Sequence, residues 1–274
     1  MELAISSSGN WGDCLRSGKY TNLIDVLIES SKECLEFSEE NNFKICEVVL
    51  EPPDVLNQES QKRFIELCNS YSIKKQIHAP FLDLSLCSSN PWIARSSIDC
   101  YVQTAQICQE IGAEIMVVHP GFSGLGMRAK KRLVGSVDKL LNATIDYGVK
   151  ICLENMPNFR MNIFLDEDEI EFFLSKLNRS DLYITYDTSH LWTNDGNVGV
   201  FWERFHERIK NVHIVENFDK NSDTHPDLGT GKVNFPKIID IIRDYGYKGA
   251  LVIELASAKN LLNSIQFIKQ ILSS

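Results

Sequence analysis

Eight short β-rich runs alternate with longer amphipathic stretches along this chain, and that alternation constrains its fold more than any single motif does. The runs are ELAISS (2–7), KICEVVL (44–50), IKKQIH (73–78), EIMVVH (114–119), VKICLE (149–154), LYITYD (182–187), NVHIV (211–215) and ALVIE (250–254). Between them, stretches such as NLIDVLIESSKECLEFSEE carry apolar residues every three or four positions, the period of a helix with one buried face. Strict alternation implies parallel strands joined by right-handed crossovers. Eight such units predict a closed (β/α)₈ barrel. A doubly wound open sheet is the alternative, but no GxGxxG follows any strand. A length of 274 residues suits one barrel, which typically takes about 250. Residues 1–274 contain no linker or low-complexity tract and are expected to form a single domain.

Composition narrows the class further. Apolar residues make up 43% and charged residues 24%, as in an ordinary globular protein. No apolar stretch approaches the ~20 residues of a membrane span, and MELAISSSGNWGD lacks the basic start and apolar core of a signal peptide. The eight cysteines are scattered without a CxxC pair, and Cys46, Cys108 and Cys152 fall in runs where cysteine acts as a small apolar residue. A reduced, cytoplasmic protein without disulfides or membrane contact is expected. The net charge of −9 disfavours a polyanionic partner, although bound divalent metal would offset part of it.

The chemistry gathers at the strand ends. The apolar run LYI stops at TYDTSH, with a carboxylate at the last strand position and an imidazole three residues on. His78, His119, Glu154, Asp187 and Glu254 end five of the strands, and His213 lies within the seventh. His190 follows Asp187, and Asp223 and His225 lie in the loop after strand seven. In a (β/α)₈ barrel all of these share the C-terminal rim, where active sites form. One strand-end carboxylate ordinarily caps the next helix, and one histidine near a core is ordinarily just hydrogen-bonded. Four carboxylates and five imidazoles at one mouth are strongly unfavourable unless a cation holds them. Nitrogen and oxygen donors without thiolate suit zinc, manganese, cobalt or iron. The sixth histidine, His206 in FWERFHERIK, reads as a surface residue of a helix.

The order of HAPF (78–81), VVHPG (117–121), LENM (153–156), YDTSH (186–190), VHI (212–214), DTHPDLGTG (223–231) and VIE (252–254) resembles the xylose isomerase-like TIM barrels. That superfamily includes sugar isomerases, sugar epimerases and endonuclease IV, and the resemblance covers nearly the whole chain. In its isomerase branch it implies one divalent ion, zinc or manganese, on Glu154, Asp187, His213 and Glu254. Glu154 and Glu254 would move the proton through a metal-stabilised enediolate, and His190 would contact a substrate oxygen. The substrate would be a small sugar, sugar phosphate or polyol. Several ketose epimerases have an arginine shortly after the strand-seven histidine, whereas residues 214–222 here read IVENFDKNS.

In its endonuclease IV branch the same resemblance implies up to three zinc ions. One would be held by His78, His119 and Glu154, and a second by Glu154, Asp187, His213 and Glu254. A third would be held by His190, Asp223 and His225, for hydrolysis of nucleic acid at abasic sites. Phe81 then resembles a residue inserted at a damaged base, but it serves equally as the apolar wall of a small pocket. Asn155, Arg160 and Lys220 are the remaining expected substrate contacts. Few cations occupy the presumed upper face. The cluster of Arg128, Lys130, Lys131 and Arg132 reads as a solvated first turn of a helix. The isomerase reading is therefore taken first.

Overall fold

A computed structural model describes every residue except Leu125 and Arg160, and the main chain alone of Asp54. Its strands are β1 (Glu2–Ser6), β2 (Ile45–Val49), β3 (Lys74–His78), β4 (Ile115–Val118), β5 (Lys150–Glu154), β6 (Tyr183–Asp187), β7 (Ile209–Ile214) and β8 (Ala250–Ile253). Each pairs in parallel with the next, and β1 pairs with β8, so the sheet closes on itself as the alternation requires. His119 and Glu254 each stand one residue beyond their strands.

The helices are α1 (Ser8–Ser17), α2 (Leu23–Glu40), α3 (Gln58–Asn69), α4 (Pro91–Ile111), α5 (Met127–Thr144), α6 (Glu167–Leu177), α7 (Thr188–Thr193), α8 (Val198–Phe205), α9 (Phe235–Asp244) and α10 (Leu261–Ser273). Among the described residues there are thus ten, two more than the eight units require. The additional α1 and α7 both begin directly past a strand, at the rim. Local chemistry explains α7: Asp187 caps it, with Oδ1 accepting from His190 N at 2.7 Å. No helix of the described chain is long and apolar enough to cross a membrane.

Two environments flank the sheet. Outside, Leu35, Phe64, Ile77, Tyr101, Tyr186 and Trp202 are fully buried between strands and helices. Burying one such large apolar side chain stabilises the fold by about 1.5–3 kcal/mol. Inside, Ala4, Ala250 and Val252 leave room for polar side chains. Asn211 on β7 donates to Glu47 Oε2 on β2 at 2.9 Å, and Gln76 on β3 donates to Asn211 Oδ1 at 3.4 Å. Neither β2 nor β3 neighbours β7, so these bonds cross the lumen. The centre of this barrel is therefore partly polar, where branched apolar residues ordinarily dominate.

All eight cysteines are free, and all but the half-buried Cys100 are buried. Arg128, Lys131 and Arg132 lie exposed on α5, as expected of a solvated turn, while Lys130 pairs with Glu169. Above the sheet, Phe122 and Asn162 form an isolated antiparallel bridge, and Ser123 N donates to Met161 O at 2.8 Å. The loops after β4 and β5 are joined by these contacts.

Candidate metal centre

The strand ends bring the nine expected donor side chains together. Three groups have their donor atoms within 4.8 Å of one another: His78, His119 and Glu154; Glu154, Asp187, His213 and Glu254; and His190, Asp223 and His225. Glu154 belongs to two of them. Its Oε2 lies 3.0 Å from His119 Nε2 and 3.6 Å from His78 Nε2, while its Oε1 lies 3.2 Å from His213 Nδ1. Glu254 Oε2 approaches the same His213 nitrogen at 3.1 Å, and Asp187 Oδ2 at 4.0 Å.

Hydrogen bonds at the far sides of the rings orient the donors. His78 Nδ1 lies 2.9 Å from the Ala79 carbonyl and His190 Nδ1 lies 2.8 Å from the Asn155 carbonyl. A carbonyl only accepts, so each Nδ1 carries a proton and donates it. In the neutral ring, the form that ligates a metal, each Nε2 is then left with a lone pair. His78 Nε2 faces His119 Nε2 at 3.1 Å, an arrangement that needs a proton or a cation between two nitrogen lone pairs.

Orphaned atoms provide a second test of fit. Asp187 Oδ1 caps α7, but its Oδ2 is buried without a hydrogen-bond partner. An unpaired buried acceptor of this kind ordinarily costs about 1–3 kcal/mol. His190 Nε2 is buried as well, and makes only a long approach of 3.4 Å to Asp223 Oδ1. Both atoms face the groups described above, and their chemistry, imidazole nitrogen with carboxylate oxygen, fits a divalent transition-metal ion.

Without such a cation the side chains polarise one another. Burial alone would raise the Glu154 and Glu254 carboxyls. The charge of His213, however, outweighs burial, holding Glu154 well below its usual range and Glu254 at about 2. Burial raises Asp187 to about 6 despite His190. Burial favours neutral His213 and His190, but Glu47 and Glu154 hold the first well above its usual value, and Asp187 and Asp223 the second. His119 is pushed down, chiefly by burial.

The remaining expected residues are placed differently. The Phe81 ring lies 5.5 Å from His78 and 5.1 Å from His119, as a wall beside the first group. Asn155 is fully buried, and both ends of its amide are bonded to the Asp187 main chain. The Lys220 ammonium pairs with Asp195 and lies 5.2 Å over the Trp192 ring. Arg160 lies outside the described residues. His206 is hydrogen-bonded to Trp202 O at 3.0 Å and stacks on Tyr245, apart from the rim.

Several residues that organise the centre were not expected from the sequence. Glu47, fully buried on β2, lies 3.1 Å from His213 Nε2. Glu216 accepts from Asn217 N, Gly229 N and Val233 N, and Asn217 Oδ1 accepts from Phe218 N, Ser222 Oγ and Thr224 Oγ1. Together they fold the loop that presents Asp223 and His225. Glu51 Oε2 accepts from Phe81 N and Leu82 N at 2.8 and 3.2 Å, fixing the Phe81 wall. A carboxylate inside an apolar run, as in KICEVVL and VHIVEN, was the available signal.

Comparison with known proteins agrees with this architecture. An uncharacterized protein of Methanocaldococcus jannaschii is 28% identical over 253 residues, covering 90% of this chain and 86% of that protein. The crystal structure of a D-tagatose 3-epimerase-like protein superposes with a TM-score of 0.82 at 27% identity, covering 100% of this chain and 97% of that one. A probable endonuclease 4 of Mycoplasmopsis synoviae is 26% identical over 191 residues, 65% of this chain and 67% of that protein. The family model described as xylose isomerase-like TIM barrel matches residues 24–271. With eight parallel staves closed in order and this match over most of its length, the chain belongs to the xylose isomerase-like TIM barrel family.

Proposed function

We propose that this protein is a divalent-metal-dependent isomerase or epimerase of a small sugar, sugar phosphate or related polyol. The observation that carries the reading is the convergence of Glu154, at the end of β5, and Glu254, just past β8, on one nitrogen of His213 at 3.2 and 3.1 Å. The likeness to a D-tagatose 3-epimerase-like protein supports the same class. Glu154, Asp187, His213 and Glu254 would hold the ion. When bound, it would supply positive charge to a substrate carbonyl and the adjacent hydroxyl, favouring loss of the proton between them.

The side chains then divide the work. Both glutamates are held in the ionised form, as a base must be to accept a proton. One removes the proton from the carbon beside the carbonyl. The other must first take up a proton from solvent, and then delivers it to the opposite face or the neighbouring carbon, while the first returns its captured proton to solvent. His190, its Nδ1–H donated to Asn155 O, offers Nε2 to a substrate oxygen. Phe81 walls the side of His78 and His119 against water.

A second reading, zinc-dependent hydrolysis of a phosphodiester at abasic sites, is favoured by one specific observation. The groups around His78 and around His190 are assembled as well, although the proton-transfer reaction needs no ion at either. One experiment separates the two. Metal-loaded protein is incubated with a panel of ketoses and ketose phosphates in D₂O, and in parallel with an abasic-site duplex. The first reading expects C–H to C–D exchange next to the carbonyl, lost in Glu254→Gln. Incision of the duplex without any exchange would replace it by the second.

A further inference from the structure

Glu47 occupies the middle of β2, fully buried, inside a barrel whose lumen could have been filled by valine or isoleucine. A carboxylate there costs several kcal/mol unless it is paired. Among the described residues its only ion-pair partner is His213, whose Nε2 lies 3.1 Å from Oε1 and 3.3 Å from Oε2.

The neighbouring groups favour one arrangement of the protons. Were His213 Nε2 unprotonated, its lone pair would face the Glu47 carboxylate oxygens at 3.1 and 3.3 Å with no proton between them. Asn211 Nδ2 also lies 3.1 Å from His213 Nε2, but an amide nitrogen carries hydrogens and cannot accept. That nitrogen donates to Glu47 Oε2 at 2.9 Å, and Asn211 Oδ1 is taken by Gln76. The Glu47 carboxylate is therefore the acceptor available to the Nε2 proton. With Nε2 protonated, the lone pair of neutral His213 is on Nδ1, the atom that Glu154, Asp187 and Glu254 surround.

We propose that Glu47 is a positioning residue that fixes His213 in the Nε2–H tautomer and aims its Nδ1 lone pair at the metal, with Asn211 and Gln76 holding the carboxylate in place. The inference rests on the reading of His213 as a metal ligand. A carboxylate behind a coordinating imidazole orients the ring and makes it a stronger donor. Loss of such a partner lowers metal affinity by about 10- to 100-fold.

The test compares wild type, Glu47→Gln and Glu39→Gln. Gln keeps the shape and an acceptor oxygen at position 47 but removes the charge. Glu39 accepts from Ser72 N and Ile73 N just before β3, at the end of the barrel opposite the rim. Zinc and manganese affinities are measured by chelator competition. The His213 Nε2 proton is followed by ¹H–¹⁵N NMR with and without metal, and melting curves verify the fold. The expected result is a 10- to 100-fold loss of affinity and a displaced, faster-exchanging Nε2 proton in Glu47→Gln, with neither change in Glu39→Gln. Wild-type protein that takes up metal while Glu47→Gln alters neither readout overturns the inference, as does an equal loss of affinity in Glu39→Gln. If wild type shows the Nε2 proton but takes up no metal, the metal reading fails and the Glu47–His213 pairing stands. Should Glu47→Gln fail to fold, Glu47→Asp, which retracts the carboxylate, is expected to show the same two changes in weaker form.

Discussion

Asn155 is bonded twice to the main chain of Asp187: its Oδ1 accepts from Asp187 N at 2.8 Å and its Nδ2 donates to Asp187 O at 3.1 Å. The amide thus completes the sheet between β5 and β6 at the level where the donors emerge. Asn155→Ala strands both main-chain groups in a buried setting. It is expected to cost roughly 2–4 kcal/mol, counting each group at about 1–2. Denaturant melts of metal-free protein measure the loss. An unchanged midpoint would mean that the two bonds carry little weight.

The ion count distinguishes the two activities. Protein purified without chelator should contain about one ion per chain if only the group around His213 fills, and roughly three zinc ions if all three groups do. Elemental analysis per chain, with anomalous diffraction at the metal edge, gives the answer. His213→Ala is expected to lose the ion shared by Glu154 and Glu254, whereas His206→Ala should retain all of the metal, because its ring contacts Trp202 and Tyr245.

Replacing Glu254 by Gln preserves the side-chain shape but removes the carboxylate proposed to move the proton. A drop of about 10²- to 10⁴-fold in turnover is expected, with melting temperature near that of wild type. Solvent-deuterium exchange at the substrate carbon is the direct readout. Wild-type rates in the variant would take Glu254 out of the reaction.

Stability of metal-free protein should fall as pH rises through the range of the rim histidines. Burial would keep His225 neutral, but Asp223 and Glu254 lift it to about 9, against an unfolded value near 6.5. A raised folded value gives stability that is complete below about 6.5 and lost as pH climbs through about 9. Asp187, raised to about 6, finishes ionising below that window and does not reverse the slope. Metal affinity should change in the opposite direction, because ligand histidines must lose their protons. Melting curves between pH 6 and 9.5, with and without zinc, test both signs.

Gly231 is packed against the hub of the loop after β7. A methyl group built there would lie 2.3 Å from Asn217 O and 2.5 Å from Glu216 Oε1. Gly231→Ala is expected to destabilise the fold by about 1–3 kcal/mol through overpacking. It should also weaken retention of an ion at His190, Asp223 and His225 more than at His213. Equal retention at both would show that the loop absorbs the methyl group without moving its donors.

Where the sequence was legible, the reason was periodicity. Buried parallel strands read as apolar runs that stop at their chemistry, so His78, Glu154 and Asp187 stood out as the last residues of β3, β5 and β6. The helix α7 was hidden because its six residues, TSHLWT, are too few to show a period, and its cap is the same Asp187 that ends the strand. Glu47 and Glu216 were missed because each lies in an otherwise apolar segment, and only closure of the barrel brings Glu47 to His213 across 166 positions. Asn155 lay in the right motif, but its partner Asp187 is 32 residues away, a pairing that the motif alone does not specify.

The bridge between Phe122 and Asn162 makes neighbours of two loops that also carry the exposed side chains of Phe122 and Met161. The rim of this chain is thus not modular one loop at a time. A graft that exchanged either segment alone for a relative's would break the bridge on one side, so a transplant that keeps it has to carry the two together.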